Sequence, residues 1–492
     1  MRRLAATLAA TAATAALATA AADDQWRAHS IAAEALKATS AYTRLERLTD
    51  TIGARLAGSE AEPRAVAWAR EEFEKDGIAV RLEPVMVPVW IRGMESAAMV
   101  APFPQPLSML GLGGSVGTPA EGIVAPVVVV SSKEELLALG ETKVRGKIVL
   151  YDHPFVRTGD EMADYGKAVT YRGSGASEAA RLGAVASLIR SVGTSSLRTP
   201  HTGSLRYAAD APRIPGAALA IEDAMLLRRL SVAGHEPVVR LTMSARSDPD
   251  REGANVVAEI KGRERPEEIV VVAAHLDSWD VGTGAIDDGA GCVMVLETMR
   301  LIAGGPAPRR TVRAVLYANE ENGLRGGRGY KAAHFEEMTR HVAAIEADSG
   351  AGRATGINLK AGEGGVDKLR AMMTPALAGL GATVFKEGGG GADIGVLGRS
   401  GVPIMGLLQD TTRYFDWHHT MADTLDKVEP RELQQATAVL AAAVWSLADA
   451  TEPLPRGAVE ADPAAEGAES AKPAAPAKPA EPAKNGRPNS GP

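Results

Sequence analysis

Apolar residues in the second half of the chain alternate between strand-like runs and helix-like spacing. The run at 269–274 is apolar at every position, as expected for a strand that is covered on both faces. Apolar positions three and four residues apart then predict a buried helix face, formed by Cys292, Val295, Leu296, Met299 and Ile302. Further strands and a final amphipathic helix are predicted at 311–318, 341–347, 402–408 and 431–448. This alternation indicates an α/β sandwich around a mixed, mostly parallel sheet that occupies residues 248–451.

Two other regions precede this one. Residues 23–118 begin with helical patterns and continue into a strand at 80–90, and we assign them to the N-terminal part of the same folded unit. Residues 119–247 have a different order, which opens with a run of β-branched residues at 123–130. Their proline-bearing segment 214–221, followed by a helical pattern, resembles the protease-associated domain. We therefore expect a β-rich insert that acts as a lid or spacer and supplies no catalytic residue.

The two ends of the chain differ from its middle. Residues 1–22 begin with Arg2 and Arg3, continue with a short run of alanine, leucine and threonine, and end in small residues, which is the pattern of a signal peptide. We expect a periplasmic or secreted protein without a membrane anchor, since no cysteine follows the short apolar run. Residues 452–492 are rich in proline, alanine, lysine and glutamate and predict a disordered tail.

Composition narrows the choice of partners. The 492 residues exceed what one hydrophobic core usually holds, so two folded domains are expected. The formal net charge of -7 argues against a nucleic acid or an anionic membrane as the partner, because both require a basic surface. The single cysteine, Cys292, excludes an intramolecular disulfide, and its place on the apolar helix face predicts a buried thiol.

Acidic residues and histidines follow the predicted strands of residues 248–451. They are His275 and Asp277 after the first strand, Asp287 and Asp288 before the helix, Glu320 and Glu321, Asp348, and finally His418 and His419. Open α/β sheets bind ligands at the carboxyl ends of their strands, so these side chains are expected to form one site. Imidazole together with carboxylate is typical of zinc and related transition ions, whereas magnesium and calcium prefer oxygen ligands alone.

The motifs around these residues resemble the co-catalytic zinc aminopeptidase and carboxypeptidase family, and most of all its carboxypeptidase Q branch. Four segments carry the resemblance: 275–291, which begins His-Leu-Asp and contains Asp287-Asp288; Asn319-Glu320-Glu321; Glu346-Ala-Asp348; and His419-Thr-Met-Ala-Asp423. The segment 50–59 and the protease-associated insert extend it over nearly the whole chain. The resemblance implies a zinc-exopeptidase three-layer α/β sandwich.

The resemblance also implies a role for each residue. Asp287 would bridge two zinc ions, with His275 and Asp348 on one and Glu321 and His419 on the other. Glu320 would be the general base, and Asp277 would orient His275, a task that metal-bound histidines require. A cis peptide bond is expected between Asp287 and Asp288, and homodimers are common in the family.

Two local alternatives stay open in the sequence. His418 is adjacent to His419 and could be the ligand, although the spacing to Asp423 favours His419. Asp393 resembles a family position near the site and is expected to be structural or to support a ligand.

The segment 113–117 matches the G-x-S-x-G pattern of serine hydrolases, but prolines on both sides argue for a loop instead of the strand and helix that this motif needs.

We therefore predict an exopeptidase that uses two zinc ions, or other divalent transition ions, to cleave dipeptides or short peptides. One alternative is a glutaminyl cyclase-like transferase with the same fold. Another is a binding or receptor-like protein that has no activity. Retention of all five ligand types and of Glu320 favours the enzyme.

Overall fold

The computed structural model describes residues 26–159 and 161–460. The predicted signal peptide and residues 461–492 of the predicted tail lie outside the described residues. The helices are α1 (26–35), α2 (Ser40–Arg47), α3 (Glu62–Lys75), α4 (Lys133–Val144), α5 (Glu161–Ala168), α6 (Thr170–Arg181), α7 (Ile221–Val232), α8 (Ala290–Ala303), α9 (Arg325–Ala333), α10 (Gly365–Ala376), α11 (Gly395–Gly398), α12 (Tyr414–Trp417) and α13 (Pro430–Asp449).

The strands form two sheets. They are β1 (Ala79–Ile91), β2 (Glu95–Ala101), β3 (Gln105–Leu107), β4 (Met109–Gly111), β5 (Ile123–Val130), β6 (Ile148–Tyr151), β7 (Ala186–Arg190), β8 (Gly216–Leu219), β9 (Val238–Met243), β10 (Arg246–Ile260), β11 (Arg265–His275), β12 (Arg310–Tyr317), β13 (His341–Glu346), β14 (Ala354–Lys360), β15 (Val384–Glu387) and β16 (Ile404–Gln409).

The larger sheet has the order β1-β10-β12-β11-β13-β16-β14-β15. Its central strands β12, β11, β13 and β16 run parallel, while β1 and β10 are antiparallel to their neighbours and β14 is antiparallel to β16. The sheet is therefore mixed with a parallel centre, as the sequence predicts. The strands predicted at 80–90, 269–274 and 311–318 correspond to β1, β11 and β12.

Strand β11 shows why the fold has three layers. Val270, Val272 and Ala274 face one way, into a core shared with α1, α2, α3, α8, α10 and α13. Ile269, Val271 and Ala273 face the other way, into a smaller core with α9 and α11. Successive side chains of a strand point to opposite faces, so an all-apolar strand must be covered on both.

The smaller sheet has the order β3-β2-β9-β5-β6-β7-β8-β4 and lies within residues 95–243. One face packs on α7 and the other on α4 and α6. Three of its strands, β2, β3 and β4, precede residue 119, where the sequence places the start of the insert. Their weak apolar patterns do not reveal which sheet they join, because pairing with β9 and β8 is a tertiary contact. We propose that the insert comprises residues 95–243.

The chain packs against the larger unit beyond the predicted end at residue 451. Leu454 is buried, the Arg456 guanidinium donates to the backbone carbonyls of His341 and Ser400, and Val459 pairs with Ser400. The composition of residues 452–492 predicts a disordered tail, because amino-acid composition does not reveal a few isolated contacts with the folded part of the chain.

Candidate metal centre

The parallel centre of the larger sheet brings the predicted residues together. His275 is the last residue of β11, Glu320 and Glu321 follow β12, and Asp348 follows β13. Because β12, β11 and β13 are parallel neighbours, their carboxyl ends lie side by side. Asp287 enters the same place from the helical turn Ala285–Gly289 in front of α8, and the peptide bond between Asp287 and Asp288 is cis.

Two groups of potential ligand atoms meet at Asp287. His275 Nε2 lies 3.2 Å from Asp287 Oδ1 and 3.6 Å from Asp348 Oδ1. On the other side, His419 Nε2 lies 3.2 Å from Asp287 Oδ2 and 3.1 Å from Glu321 Oε2. The five predicted ligands therefore form one connected cluster. His275 and His419 contact the two carboxylate oxygens of Asp287, and each of these histidines also contacts one further carboxylate, that of Asp348 or Glu321.

His418 also faces this carboxylate. Its ring stacks on that of His419 with centroids 3.6 Å apart, and its Nε2 lies 3.3 Å from Asp287 Oδ2. His419 differs in that it also contacts Glu321. His419 has a positive φ of 62°, a backbone conformation uncommon outside glycine, and this turns its ring toward Asp287 and Glu321.

Asp277 contacts its neighbours differently from the family-based expectation. The His275 Nδ1 atom lies 3.0 Å from the backbone carbonyl oxygen of Asp277 but 3.9 Å from its carboxylate. The carboxylate instead accepts hydrogen bonds from the backbone amides of Glu320, at 3.0 Å, and Glu321, at 3.4 Å. Asp277 thus holds the Glu320-Glu321 turn with its side chain and the His275 ring with its main chain.

Burial and mutual repulsion shift the ionisation of these groups. Burial raises the pKa of Glu321 to about 7, and the neighbouring charge of Asp287 adds to this effect. The pKa of Glu320 is also raised, by burial and by Asp348 and Glu321. Burial opposes ionisation of Asp287 as well, but the surrounding histidines hold its pKa well below the usual value.

These residues fit a pair of divalent ions. Asp287 Oδ2 and Glu321 Oε1 are buried and have no hydrogen-bond partner of good geometry among the described residues. Such atoms are costly unless another group, such as a cation, satisfies them. Imidazole nitrogens and carboxylate oxygens in groups of three are the donors that zinc sites use.

The sequence analysis assigned no role to two residues that support the site. Arg55 is fully buried and donates to the carbonyls of Leu276, at 2.6 Å, Thr283, at 2.8 Å, and Gly284, at 2.9 Å. Asp423 Oδ1 accepts from the amides of both residues that precede Asp287, each at 2.8 Å. Both residues lie in segments that carry the family resemblance, 50–59 and the motif that begins at His419. The resemblance of these two segments is the sequence signal that could have identified them.

The insert closes one side of the site. The Thr202 amide donates to the His419 carbonyl at 2.9 Å, and the Ser204 hydroxyl donates to the Glu321 carbonyl at 2.8 Å. A cavity of about 690 Å³ lies between the insert and the metal centre and is lined by Glu320 and by residues of both units. No sequence motif marked Thr202 or Ser204.

Three other sequence interpretations concern groups near this site. Ser115, in the G-x-S-x-G pattern, lies in a loop where its hydroxyl accepts from the Gly216 amide. Cys292 is buried and its thiol donates to the His275 carbonyl at 3.0 Å, as predicted for an apolar helix face. Asp393 is buried, and burial together with the neighbouring charge of Glu346 raises its pKa well above the usual value.

Comparison with known sequences and structures identifies proteins that this chain is similar to. The profile of peptidase family M28 matches residues 255–444. Carboxypeptidase Q from Bos taurus is 41% identical over 420 residues, which cover 84% of this chain and 86% of that protein, and carboxypeptidase Q from Homo sapiens gives the same values. The crystal structure of a peptidase M28 precursor from Shewanella amazonensis superimposes with a TM-score of 0.85 at 39% identity, covering 88% of this chain and 98% of that one. BSAP, a zinc aminopeptidase from Bacillus subtilis, shares the fold with a TM-score of 0.62 at 20% identity, over 83% and 95% of the two chains.

The fold and the histidine–carboxylate site define a metallo-exopeptidase. The chain belongs to peptidase family M28, since its similarity to carboxypeptidase Q extends over most of both sequences. Its substrates are therefore peptides. None of the helices in residues 26–159 and 161–460 has the length and apolar character needed to cross a membrane.

Proposed function

We propose that this metallo-exopeptidase is exported, binds two zinc-type ions and hydrolyses dipeptides or other short peptides. The observation that carries the proposal is the position of Asp287, whose two carboxylate oxygens each face a separate group of ligand atoms. A shared carboxylate with a histidine on each side is an arrangement that can hold two ions close together, as two-metal hydrolases do.

Each group of side chains would hold one ion. His275, Asp287 and Asp348 would hold the first, and Asp287, Glu321 and His419 the second. When bound, such a pair supplies an acidified water and polarises the carbonyl of the scissile bond. Zinc is the ion best matched to two imidazoles and three carboxylates, and it is the ion named for the Bacillus subtilis relative of the same fold.

Glu320 moves the proton in the proposed reaction. Its carboxylate lines the cavity beside the ligand groups without belonging to either of them. It takes a proton from the attacking water and then donates it to the nitrogen of the leaving amine, as a general base and acid. Asp277 keeps this carboxylate in place by accepting a hydrogen bond from the Glu320 amide.

The insert limits the size of the substrate. Its contacts with the carbonyls of His419 and Glu321 hold it directly over the ligands. A cavity of about 690 Å³ has the volume of a pocket for a small ligand, so one or a few residues of a peptide chain fit beside Glu320. This supports a preference for dipeptides and short peptides over long chains.

A direct test measures hydrolysis and its dependence on metal. The mature protein is incubated with unblocked, N-blocked and C-blocked dipeptides, with and without a zinc chelator, and released amino acids are quantified. We expect rapid cleavage of the unblocked dipeptides that the chelator abolishes and added zinc restores. Absence of cleavage with two equivalents of zinc bound would contradict the proposal.

The choice of His419 as a ligand has its own test, with His418 as the control. We expect His419→Ala to retain one zinc ion instead of two and to lose activity, because its imidazole is the nitrogen donor next to Glu321. His418→Ala should keep both ions. Elemental analysis of the purified variants measures this, and loss of an ion from the His418 variant alone would reverse the assignment.

Export and assembly are further parts of the proposal. The N-terminal pattern supports cleavage after residue 22, so N-terminal sequencing of the secreted protein should begin at Asp23. The family resemblance supports a homodimer, and a mass no greater than the 51.2 kDa of the uncleaved chain in analytical ultracentrifugation would show a monomer instead.

A further inference from the structure

Two arginines of the insert line the same cavity as the metal centre. Arg172, on α6, and Arg206, in the loop that follows Ser204, line the cavity that Asp287 and Glu320 also line. Thr202 and Ser204 fix this loop through hydrogen bonds to the carbonyls of His419 and Glu321, so its position relative to the ligands is defined by direct contacts.

The loop also holds the two arginines next to each other. The Arg206 amide donates to the Gly173 carbonyl at 2.9 Å, which joins the loop to the residue that follows Arg172. Gly203 passes over the Arg172 guanidinium so closely that a Cβ at this position would lie 2.5 Å from its Cζ atom. A side chain at residue 203 would therefore push Arg172 away from the loop that carries Arg206.

Neither guanidinium is neutralised by the protein. In the part of the chain that the structure describes, no carboxylate forms a salt bridge with either arginine. Arg172 donates to the Tyr165 hydroxyl and lies 5.4 Å from the centre of that ring, but its Nε is buried and lacks a hydrogen-bond acceptor. Nearby Arg92 is different, since Asp280 binds it through both carboxylate oxygens.

We propose that Arg172 and Arg206 form a subsite that binds a carboxylate of the peptide substrate, and specifically its C-terminal carboxylate. The inference rests on the proposed function of the metal centre. Guanidinium groups match carboxylates in shape and form strong, charge-assisted hydrogen bonds with them. Binding the C-terminus here, in the cavity that Glu320 also lines, places the peptide bond before it in the same cavity as Glu320 and makes the enzyme act from the carboxyl end.

A carboxylate can also come from an acidic side chain, so the test uses three substrates. Ala-Ala has a free C-terminus, Ala-Ala amide has none, and Ala-Glu amide carries its carboxylate on the side chain. The variants are Arg206→Gln and Arg172→Gln, with Arg229→Gln as the control. Arg229 is an exposed arginine of the insert outside the cavity, so its substitution removes the same charge.

We expect Arg206→Gln to lower kcat/KM for Ala-Ala by roughly tenfold to a hundredfold, the usual effect of losing a hydrogen bond to a charged group, mainly through KM. Hydrolysis of Ala-Ala amide should not change, and neither should any activity of the Arg229 variant. Arg172→Gln should act in the same direction. Loss of the Arg172–Tyr165 contact could impair folding of the Arg172 variant, and thermal melting of each variant will show this. Arg206 is exposed, so its variant tests the subsite independently of that contact.

Three results separate the possible explanations. A selective loss on Ala-Glu amide would assign the subsite to a side-chain carboxylate. An equal loss on all three substrates, or no loss on any, would overturn the subsite. Chelator-sensitive cleavage of Ala-Ala by the wild type, with zinc bound, tests the proposed function separately and does not depend on either arginine variant.

Discussion

Glu320 and Glu321 are neighbours in the chain but have different surroundings. Glu321 is buried against His419, at 3.1 Å, whereas Glu320 is partly exposed to the cavity. Both backbone amides point to the carboxylate of Asp277, so their side chains leave the turn in different directions. One glutamate can thus bind metal while the other meets the water and the substrate.

This division of roles predicts the result of Glu320→Gln. We expect the variant to bind zinc normally and to lose about a hundredfold or more of kcat, because a general base contributes that much and an amide cannot take a proton. Zinc content and dipeptide hydrolysis are the measurements. Glu336→Gln, an exposed carboxylate away from the cavity, should be unaffected. Equal activity of wild type and Glu320→Gln would refute the mechanism.

Glu62 is a buried carboxylate outside the metal centre. One of its oxygens accepts from the Gly58 amide at 2.6 Å, and the other has no hydrogen-bond partner among the described residues. Burial raises the pKa of Glu62 from 4.5 to about 7 in the folded protein. The folded state therefore holds this proton more tightly than the unfolded state does.

A raised pKa predicts that stability is lost toward higher pH. The contribution of Glu62 is fully present below pH 4.5 and disappears as the pH rises to about 7. Relative to Glu62→Gln, the free energy of unfolding of the wild type should fall by about 3 kcal/mol over this interval. Urea unfolding of the metal-free proteins at several pH values measures the difference. Exposed Glu60→Gln is the control, and parallel profiles for wild type and Glu62→Gln would exclude the shift.

At the scale of elements, the metal loop depends on donors that come from outside it. The loop between β11 and α8 contains three glycines, and most of it precedes the helical turn Ala285–Gly289 without forming a helix or a strand. Arg55 satisfies three of its carbonyl groups, and Asp423 satisfies two of its amides. Gly282, with a φ of 69°, allows the backbone to pass close to the carbonyls of Thr420 and Asp423.

Removal of Arg55 should therefore destabilise the protein and weaken metal binding. Arg55→Met keeps the length of the side chain but leaves the carbonyls of Leu276 and Thr283 without their donor and removes one of the two donors to the Gly284 carbonyl. We expect a loss of about 3 kcal/mol or more in the free energy of unfolding, measured by urea titration, together with weaker zinc binding. Arg64→Met, an exposed substitution on α3, should cost little. A similar effect of the two substitutions would show that Arg55 is not needed.

At the scale of the molecule, the insert and the sandwich share the active site. Besides the contacts of Thr202 and Ser204, Arg92 links the two units: it binds Asp280 in the metal loop and donates to the Gly111 carbonyl at 2.6 Å and to the Thr202 hydroxyl. The pair is largely buried, with 10% and 25% of the two side chains exposed, so water screens it less than a surface pair.

This ion pair predicts energetic coupling between the metal loop and the segment that leads into the insert. A double-mutant cycle with Arg92→Met and Asp280→Ala should give a coupling energy of about 1–3 kcal/mol in unfolding, because each single change leaves a buried charge without its partner. The exposed pair Arg251 and Glu60 is the control and should give less than about 1 kcal/mol. No coupling between Arg92 and Asp280 would mean that the ion pair does not hold Arg92 in place for its contacts with the insert.

The sequence by itself determined the class of fold and the candidate ligands. Residues 269–274 of β11 are apolar at every position, and only a sheet that is covered on both faces accommodates such a strand, so the local pattern was enough. The short strands β14 and β15, at the edge of the sheet, carry too few apolar residues for the same inference. The candidate ligands could be identified from the sequence for two reasons. Zinc and related ions bind histidine and carboxylate side chains, and such side chains follow the predicted strands.

Tertiary structure alone decided how the site is enclosed and supported. The pairing of β2, β3 and β4 with the insert, the bonds of Thr202 and Ser204 to the metal centre, and the meeting of Arg172 with Arg206 join residues that are far apart in the chain. None of these contacts produces a periodic or compositional pattern in the sequence, because each depends on a few hydrogen bonds between separate elements. The sequence indicates the chemistry of the candidate metal centre, and the packing of the insert against it encloses the cavity in which we propose that short peptides bind.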